Sequence, residues 1–252
     1  MGADSARRRL QELARRHGLR VDQRERLEEL LSLLARDAHA PTSIRCRSRA
    51  VDVHVADSLV ALELEVISKA RAIADVGAGA GFPGLALAVA LERADVRLIE
   101  SNKRKCVYLE RVIAEVGLRN ASVVSERVEE WREGEGSNDV VLARALAAQA
   151  VVLEYAAPLL RLGGTLADWR GKRSRGEEEQ AARAAEQLGM RRVEIRRTEP
   201  FAGAQDRHLH LYVKVRHTPR RFPRRAGVAS RRPLGADPPH ARAARRARSA
   251  ER

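Results

Sequence analysis

The chain has 252 residues, enough for one large domain or one domain with an appendage, and its 44% hydrophobic content can form a core. No apolar run approaches the roughly 18 residues of a membrane helix. The N-terminus MGADSARRRL has no hydrophobic signal region, so we expect a cytoplasmic protein that does not enter membranes. Cys46 and Cys106 are too far apart for a metal or redox motif, so no metal site is expected.

The net charge of +14 is concentrated near the C-terminus. Residues 214–252 contain thirteen basic and two acidic residues, a net charge of +11, which leaves +3 on the rest of the chain. A strongly basic segment is typical of proteins that bind a polyanion. Because 43 of the 48 basic residues are arginine, genomic base composition is an alternative source of the arginines. Base composition does not by itself explain why acids are scarce there.

The spacing of apolar residues predicts helices first and then alternating strands and helices. Two helices are expected within residues 5–36, and a third at about Val53–Ser68. Strands are predicted at 71–76, 96–100, 121–125, 139–144, 164–169, 192–197 and 208–215, and further helices at 82–92, 103–116, 147–160 and 177–188. This alternation predicts a mostly parallel sheet with helices on both faces, closed by an antiparallel hairpin of the last two strands.

We therefore predict an α/β fold in three segments. Residues 1–69 form an N-terminal helical cap, residues 70–216 form a seven-stranded sheet domain, and residues 217–252 form a basic tail. The region after Val215 contains five prolines and few large apolar side chains. That composition predicts a tail that is disordered until it meets a partner.

The segment ADVGAGAGFPGLAL, residues 74–87, holds four glycines between a predicted strand and a predicted helix. Three of them fit the dinucleotide pattern G-x-G-x-x-G, but that turn should begin at the strand end, here at Gly77. Asp75 would repel a pyrophosphate but suits a cationic ammonium, which favours S-adenosylmethionine (SAM) over a dinucleotide. Glu100 ends the next strand and suits the ribose hydroxyls of either ligand. A purely structural glycine turn remains a third interpretation.

Several ordered segments resemble one family of enzymes. They are DVGAGAGFPGL, LIESNKRKCVYLERV, SERVEEW and ARA (143–145), with HVADSL (54–59) upstream and DRHLHLYVKV and FPRRAGVASRRPL downstream. From about Leu30 to Leu234 the chain resembles the bacterial 16S ribosomal RNA guanine-N7 methyltransferase family, RsmG, also called glucose-inhibited division protein B. The resemblance implies a Rossmann-like SAM-dependent methyltransferase fold, S-adenosylmethionine as cofactor, and 16S ribosomal RNA or the small-subunit particle as partner.

By position, the resemblance also implies a cofactor site. Asp75 is added to this site because its charge suits the ammonium group of SAM. The predicted cofactor-binding residues are then Asp75, Gly77, Gly79, Gly81, Phe82, Glu100, Val128, Glu129 and Arg144. Glu100 would hold the ribose hydroxyls, and Val128 and Glu129 would bracket the adenine. Arg144 would lie where cofactor and substrate meet. The alternatives are that Glu129 is an ordinary surface acid and that Arg144 pairs with an acid such as Asp75.

The residues assigned to the substrate side are Arg144, Lys172, Arg207 and His208. Lys172 follows Trp-Arg-Gly where the family has Leu-Lys-Gly, and Arg207 with His208 matches the family's Arg-His-Leu strand. A strand-edge arginine and a structural histidine are the alternatives. His54 and Asp57 either shape the floor of the site or join the N-terminal helices to the sheet. The region before HVADSL lacks the family's Trp-Asn and Asn-Leu-Thr and keeps only the threonine and its neighbours.

The chemistry of the implied reaction requires little from the protein. Guanine N7 carries a lone pair and no proton, so we expect no general base and leave the catalytic residue unassigned. The protein must align N7, the methyl carbon and sulfur, and exclude water. An arginine that reads guanine O6 must leave N7 free. We expect a monomer. Alternatives are a methyltransferase for another RNA or a small molecule, and a noncatalytic RNA-binding protein on the same fold.

Overall fold

The computed structural model describes residues 2–44 and 46–236. Its α-helices are α1 (Gly2–Arg16), α2 (Val21–Arg36), α3 (Arg47–Ala50), α4 (Asp57–Leu59), α5 (Glu65–Ser68), α6 (Gly84–Ala90), α7 (Lys103–Val116), α8 (Gln149–Leu159), α9 (Arg175–Leu188) and α10 (Val228–Arg231). Its strands are β1 (Ala72–Val76), β2 (Asp95–Ile99), β3 (Ala121–Val124), β4 (Asn138–Arg144), β5 (Leu160–Arg170), β6 (Met190–Arg197) and β7 (His208–Lys214). None of the helices in these ranges combines the length and apolarity that a membrane span requires.

The strands form one seven-stranded sheet in the order β3-β2-β1-β4-β5-β7-β6. The first five strands in that order are parallel, and β7 pairs antiparallel with both β5 and β6. The predicted sheet and its closing hairpin are therefore confirmed. The strand order reverses between β1 and β4, and in open α/β sheets the carboxyl ends at such a reversal form the crevice for ligands.

The third predicted helix differs from a single regular helix. It begins at Arg47 rather than Val53, and it passes through a π-helix at Val51–Ala56 and a 3-10 helix at Val60–Glu63. Apolar spacing marks which side of a helical run is buried, but it does not fix the number of residues in each turn. The π-helix carries His54, and Asp57 follows it at the start of α4, so the irregular turns position two candidate site residues.

The sheet is buried on both faces by the helices. Leu13 of α1 and Leu27 of α2 belong to the same core as Ile73 of β1 and Leu98 of β2. The opposite face packs against α8 and α9 in a second core. The cap boundary predicted at residues 69 and 70 thus separates helices from strands along the chain, while the packing joins both segments in one core.

The predicted tail is packed onto the body over its first part, which corrects the expectation that all of it is disordered. Phe222 and Ala229 are buried in the core formed by α8 and α9. The backbone carbonyls of Leu234 and Gly235 accept hydrogen bonds from α9. A few apolar anchors and buried polar contacts thus hold residues 217–236 despite their basic composition. The remainder of the predicted tail, 237–252, lies outside the described residues.

Candidate functional site at the carboxyl ends of the strands

The glycine-rich loop leaves β1 in a backbone conformation that favours glycine. Gly77 has φ +71°, and its N–H donates to the Ile99 carbonyl at 2.8 Å. A Cβ at this position would lie 2.5 Å from Cδ1 of Leu146. Positive φ and close packing together require glycine, because any other side chain would strain the backbone and meet a neighbour. The loop therefore presents bare backbone beside the first of two cavities.

Asp75 holds the end of this loop through a hydrogen bond to its backbone. Its side chain is buried, and Oδ2 accepts a hydrogen bond from the Gly84 N–H at 2.8 Å, at the start of α6. Burial raises its pKa to about 6, against the opposing effects of the Gly84 N–H and Arg144. Asp75 lines neither of the two cavities, in contrast to the expectation that it faces the cofactor. The reason is strand alternation, since Asp75 shares a face with Ile73 and points towards α6.

Glu100 follows β2 and is fixed by backbone donors. Oε1 accepts from the Asn102 N–H at 2.8 Å, and Oε2 accepts from the Gly79 N–H at 3.2 Å. Nζ of Lys105 lies 3.9 Å from Oε2. Each carboxylate oxygen keeps a lone pair for another donor. Glu100 is therefore a pre-oriented acceptor at the cavity wall.

The first cavity has a volume of about 290 Å³ and lies over the ends of β1 and β2. Its lining residues are Val76, Gly77, Ile99, Glu100, Ser101, Lys105, Glu126, Arg127, Val128, Glu129, Ala145, Leu146 and Tyr155. Four predicted cofactor residues (Gly77, Glu100, Val128 and Glu129) are thus brought together. The other nine lining residues were not predicted, although eight of them lie in or next to the segments DVGAGAGFPGL, LIESNKRKCVYLERV, SERVEEW and ARA that carry the resemblance. Tyr155 lies in an apolar helix and had no such signal.

Three other predicted cofactor residues shape the loop without lining this cavity. Gly79 and Gly81 have positive φ angles of +55° and +91°. A Cβ on Gly81 would lie 2.2 Å from Cδ1 of Leu85. The Phe82 ring stacks on His54 with ring centroids 4.9 Å apart. The loop is thereby packed against both α6 and the helical cap.

Glu129 is buried rather than an ordinary surface acid. Its Oε1 accepts a hydrogen bond from the Gly227 N–H at 2.9 Å. Tyr155, which lines the same cavity, has its hydroxyl 3.2 Å from Oγ of Ser230. The C-terminal segment 222–235 therefore braces one wall of the first cavity.

A second cavity of about 230 Å³ adjoins the first, and Ala145 lines both. Its lining residues are Asp57, Arg144, Ala145, Trp169, Arg170, Gly171, Lys172, Arg207 and His208. All four residues predicted for the substrate side are among them. Lys172 and Arg207 form no ion pair within the described part of the chain. The second cavity is therefore basic, and two of its charges are available to a ligand.

Arg144 joins the sheet to the helical cap. Its NH1 donates to Oδ2 of Asp57 and to the Val53 carbonyl, each at 3.0 Å, and its NH2 lies 3.4 Å from Nδ1 of His54. Trp169 Nε1 donates to the Asp57 carbonyl at 2.8 Å. The partner of Arg144 is thus Asp57 and not Asp75. His54 and Asp57 do join the cap to the sheet, and Asp57 in addition lines the second cavity.

His54 is a neutral member of this cluster. Burial, with a smaller contribution from Arg144, lowers its pKa to about 4. Nε2 lies 3.1 Å from Oγ1 of Thr42, and Nδ1 faces the Arg144 guanidinium. Because Arg144 can only donate, Nδ1 is the acceptor and Nε2 carries the proton. The cluster of Arg144, Asp57 and His54 therefore contains one cation, Arg144, because His54 is neutral.

A cavity of about 510 Å³ lies at the opposite end of the sheet, where Arg71 and Ala94 precede β1 and β2. Ligands of open parallel sheets bind at the carboxyl ends of the strands. None of the residues predicted for cofactor or substrate lines this larger cavity. Its greater volume therefore does not make it the functional site.

Comparisons with known proteins show the family of the chain and agree with its fold. Residues 23–210 match the GidB family model, described as rRNA small subunit methyltransferase G. The chain is 41% identical over 186 residues to the ribosomal RNA small subunit methyltransferase G of Syntrophomonas wolfei, covering 73% of this chain and 86% of that protein. It is 33% identical over 228 residues to the protein of that name from Thermotoga neapolitana, covering 89% and 98%. Aeropyrum pernix fibrillarin, solved with natively bound S-adenosyl-L-methionine, shares the fold at a TM-score of 0.51 and 18% identity, over 63% of this chain and 73% of that one.

Proposed function

The chain belongs to the rRNA small subunit methyltransferase G family, and we propose that it transfers a methyl group from S-adenosylmethionine to N7 of a guanine in 16S ribosomal RNA. It is a SAM-dependent rRNA methyltransferase. The observation that carries the assignment of the site is the adjacency of two cavities at the carboxyl ends of the strands, one holding Glu100 and the other lined by four cationic side chains and one carboxylate. Because the proposed substrate is ribosomal RNA, we infer that the reaction takes place in the cytoplasm.

The first cavity suits a nucleoside cofactor. Gly77 offers backbone without a side chain, so a ligand can approach it closely. The Glu100 carboxylate, already oriented by two backbone N–H groups, can accept hydrogen bonds from a ribose diol. Val128 and Glu129 form the adjoining wall, where an adenine would lie. When bound, S-adenosylmethionine supplies an electrophilic methyl group on its sulfonium.

The second cavity suits a nucleotide of RNA. Lys172 and Arg207 can hold backbone phosphates, because they are not neutralised by described acids. Arg144 is fixed by Asp57 and the Val53 carbonyl at the junction of the cavities. Since N7 has no proton to lose, these residues need only hold the base beside Ala145 and exclude water. The target base must be in a loop or flipped from a stack to reach this position.

The experiment that tests the proposal maps N7-methylguanine in 16S ribosomal RNA from cells with and without the gene. We expect one modified guanine to lose its methyl group in the deletion strain and to regain it when the gene is restored. Methylation of another RNA would support the alternative substrate. If no methylation changes and calorimetry detects no SAM binding to the folded protein, the noncatalytic RNA-binding alternative is correct.

A further inference from the structure

One residue that lines the second cavity, Asp57, has a carboxylate oxygen without a hydrogen-bond partner among the described residues. Asp57 is 1% exposed, and its Oδ2 accepts the hydrogen bond from Arg144. Its Oδ1 is buried and has no hydrogen-bond partner among the described residues. Buried polar atoms are nearly always paired, because an unsatisfied one destabilises the fold. An unpaired oxygen on a residue that lines a cavity therefore points to a donor that a ligand brings.

Asp57 is also distinctive in its charge. It is the one carboxylate among the described residues that line the second cavity, whose other charged side chains are arginine and lysine. Arginine and lysine can hold phosphates or an O6 oxygen, but they cannot accept a hydrogen bond. Only Asp57 and backbone or histidine acceptors there can recognise the donors of a base.

Guanine presents such donors on the edge that lies away from N7. The Watson–Crick edge carries the donors N1–H and the 2-amino group beside the acceptor O6, whereas the Hoogsteen edge carries the acceptors N7 and O6. An arginine that bound both N7 and O6 would block the atom to be methylated. Enzymes that act on a flipped base read its Watson–Crick edge, so this is the edge on which guanine can be selected here.

We propose that Asp57 selects guanine by accepting hydrogen bonds from N1–H and the 2-amino group, while Arg144 holds the carboxylate in position. The assignment rests on the proposed function and names the specificity-determining residue of the same site. Oδ1 offers the unused acceptor, and Oδ2 keeps a lone pair beyond its bond to Arg144. Adenine would place an acceptor, N1, against the carboxylate and has no 2-amino group, so it is rejected.

The test compares guanine with inosine, which keeps N7, O6 and N1–H but lacks the 2-amino group. Ribosomal RNA carrying one or the other at the mapped position is reconstituted into the substrate form that the mapping experiment identifies. We expect wild-type kcat/KM to be roughly tenfold higher on guanine. Asp57→Asn, which replaces one acceptor by a donor, should bring that ratio close to one while SAM affinity stays unchanged. The matched control is Asp95→Asn, at the exposed amino end of β2, which should keep the wild-type ratio.

Two results would overturn the assignment: a wild-type ratio near one, or an Asp57→Asn ratio equal to that of the wild type. If the variant turns over too slowly, the affinities of the two RNAs in the presence of S-adenosylhomocysteine give the same ratio. Failure of the proposed function would give a different result from failure of the Asp57 assignment. In that case the wild-type enzyme would form no N7-methylguanine even on the guanine substrate. Calorimetry with SAM shows separately whether Asp57→Asn is folded.

Discussion

Glu154 of α8 is completely buried, and Arg224 of the C-terminal segment binds both of its carboxylate oxygens. Oε1 accepts from the Arg224 backbone N–H at 3.1 Å and from Nε at 2.8 Å, and Oε2 accepts from NH2 at 2.5 Å. Three residues later Gly227 donates to Glu129 at the first cavity. The ion pair therefore connects the stability of the C-terminal segment to the shape of the first cavity, the proposed cofactor site.

Replacing Arg224 with methionine should destabilise the protein, because Glu154 would remain buried without its counterion. We expect the free energy of unfolding in urea to fall by roughly 3 kcal/mol, at the low end for a buried pair since the Arg224 side chain is 24% exposed. SAM affinity should also fall, because Gly227 loses its anchor. Arg225→Met, at the exposed neighbouring position, is the control. Adding Glu154→Gln to Arg224→Met should restore part of the stability, and a double variant no more stable than Arg224→Met would contradict this account.

The succession of strands and helices along the chain and the glycine loop followed from local patterns, whereas the contacts of the C-terminal segment did not. Phe222 and Leu234 are isolated apolar residues in a basic stretch, so composition alone indicated disorder. The indication of packing lies in α8, the helix that the C-terminal segment covers. Glu154 is an acid inside this apolar helix, QAVVLEYAAPL, and a buried acid requires a buried cation. The sequence also does not indicate on which face of the sheet the Asp75 side chain lies, for a different reason. Its strand is buried on both faces, and no alternation of polar and apolar residues marks which side each residue faces.

Asp168 should make the stability of the protein depend on pH. Burial raises its pKa to about 7, against the opposing effects of Arg170 and Gln149. An unfolded aspartate titrates near 3.8, so between these values the folded state binds more protons, and stability falls as pH rises from about 4 to 7. Asp168→Asn removes this dependence. The unfolding free energy of each protein is measured as a function of pH. The difference between wild type and Asp168→Asn should change by up to about 1.4 kcal/mol per pH unit near pH 5.5. Parallel curves would show that Asp168 has an ordinary pKa.

Replacing Gly77 with valine should abolish SAM binding. The new side chain would strain a backbone at φ +71° and meet Leu146 beside the first cavity. Gly117→Val is a matched control, because Gly117 has φ +70° at the end of α7 but nothing within 4 Å of an added Cβ. Calorimetry should detect SAM binding to the control and none to Gly77→Val. Equal affinities would remove the loop from the cofactor site.

Two truncations should separate the role of residues 216–236 from that of residues 237–252. Ending the chain after Ala236 removes five arginines and two acids but leaves the Arg224–Glu154 pair, so SAM affinity should be unchanged. RNA binding should weaken, and the slope of log affinity against log salt should shrink by roughly 0.7–0.9 for each phosphate that the protein no longer neutralises.

Ending the chain after Val215 also exposes Glu154 and releases Glu129, so here SAM affinity should fall as well. Calorimetry and salt titrations of RNA binding measure the two effects independently. An unchanged salt slope in the Ala236 truncation would show that residues 237–252 do not contact RNA, whereas full SAM affinity in the Val215 truncation would show that the packed segment does not support the cofactor site.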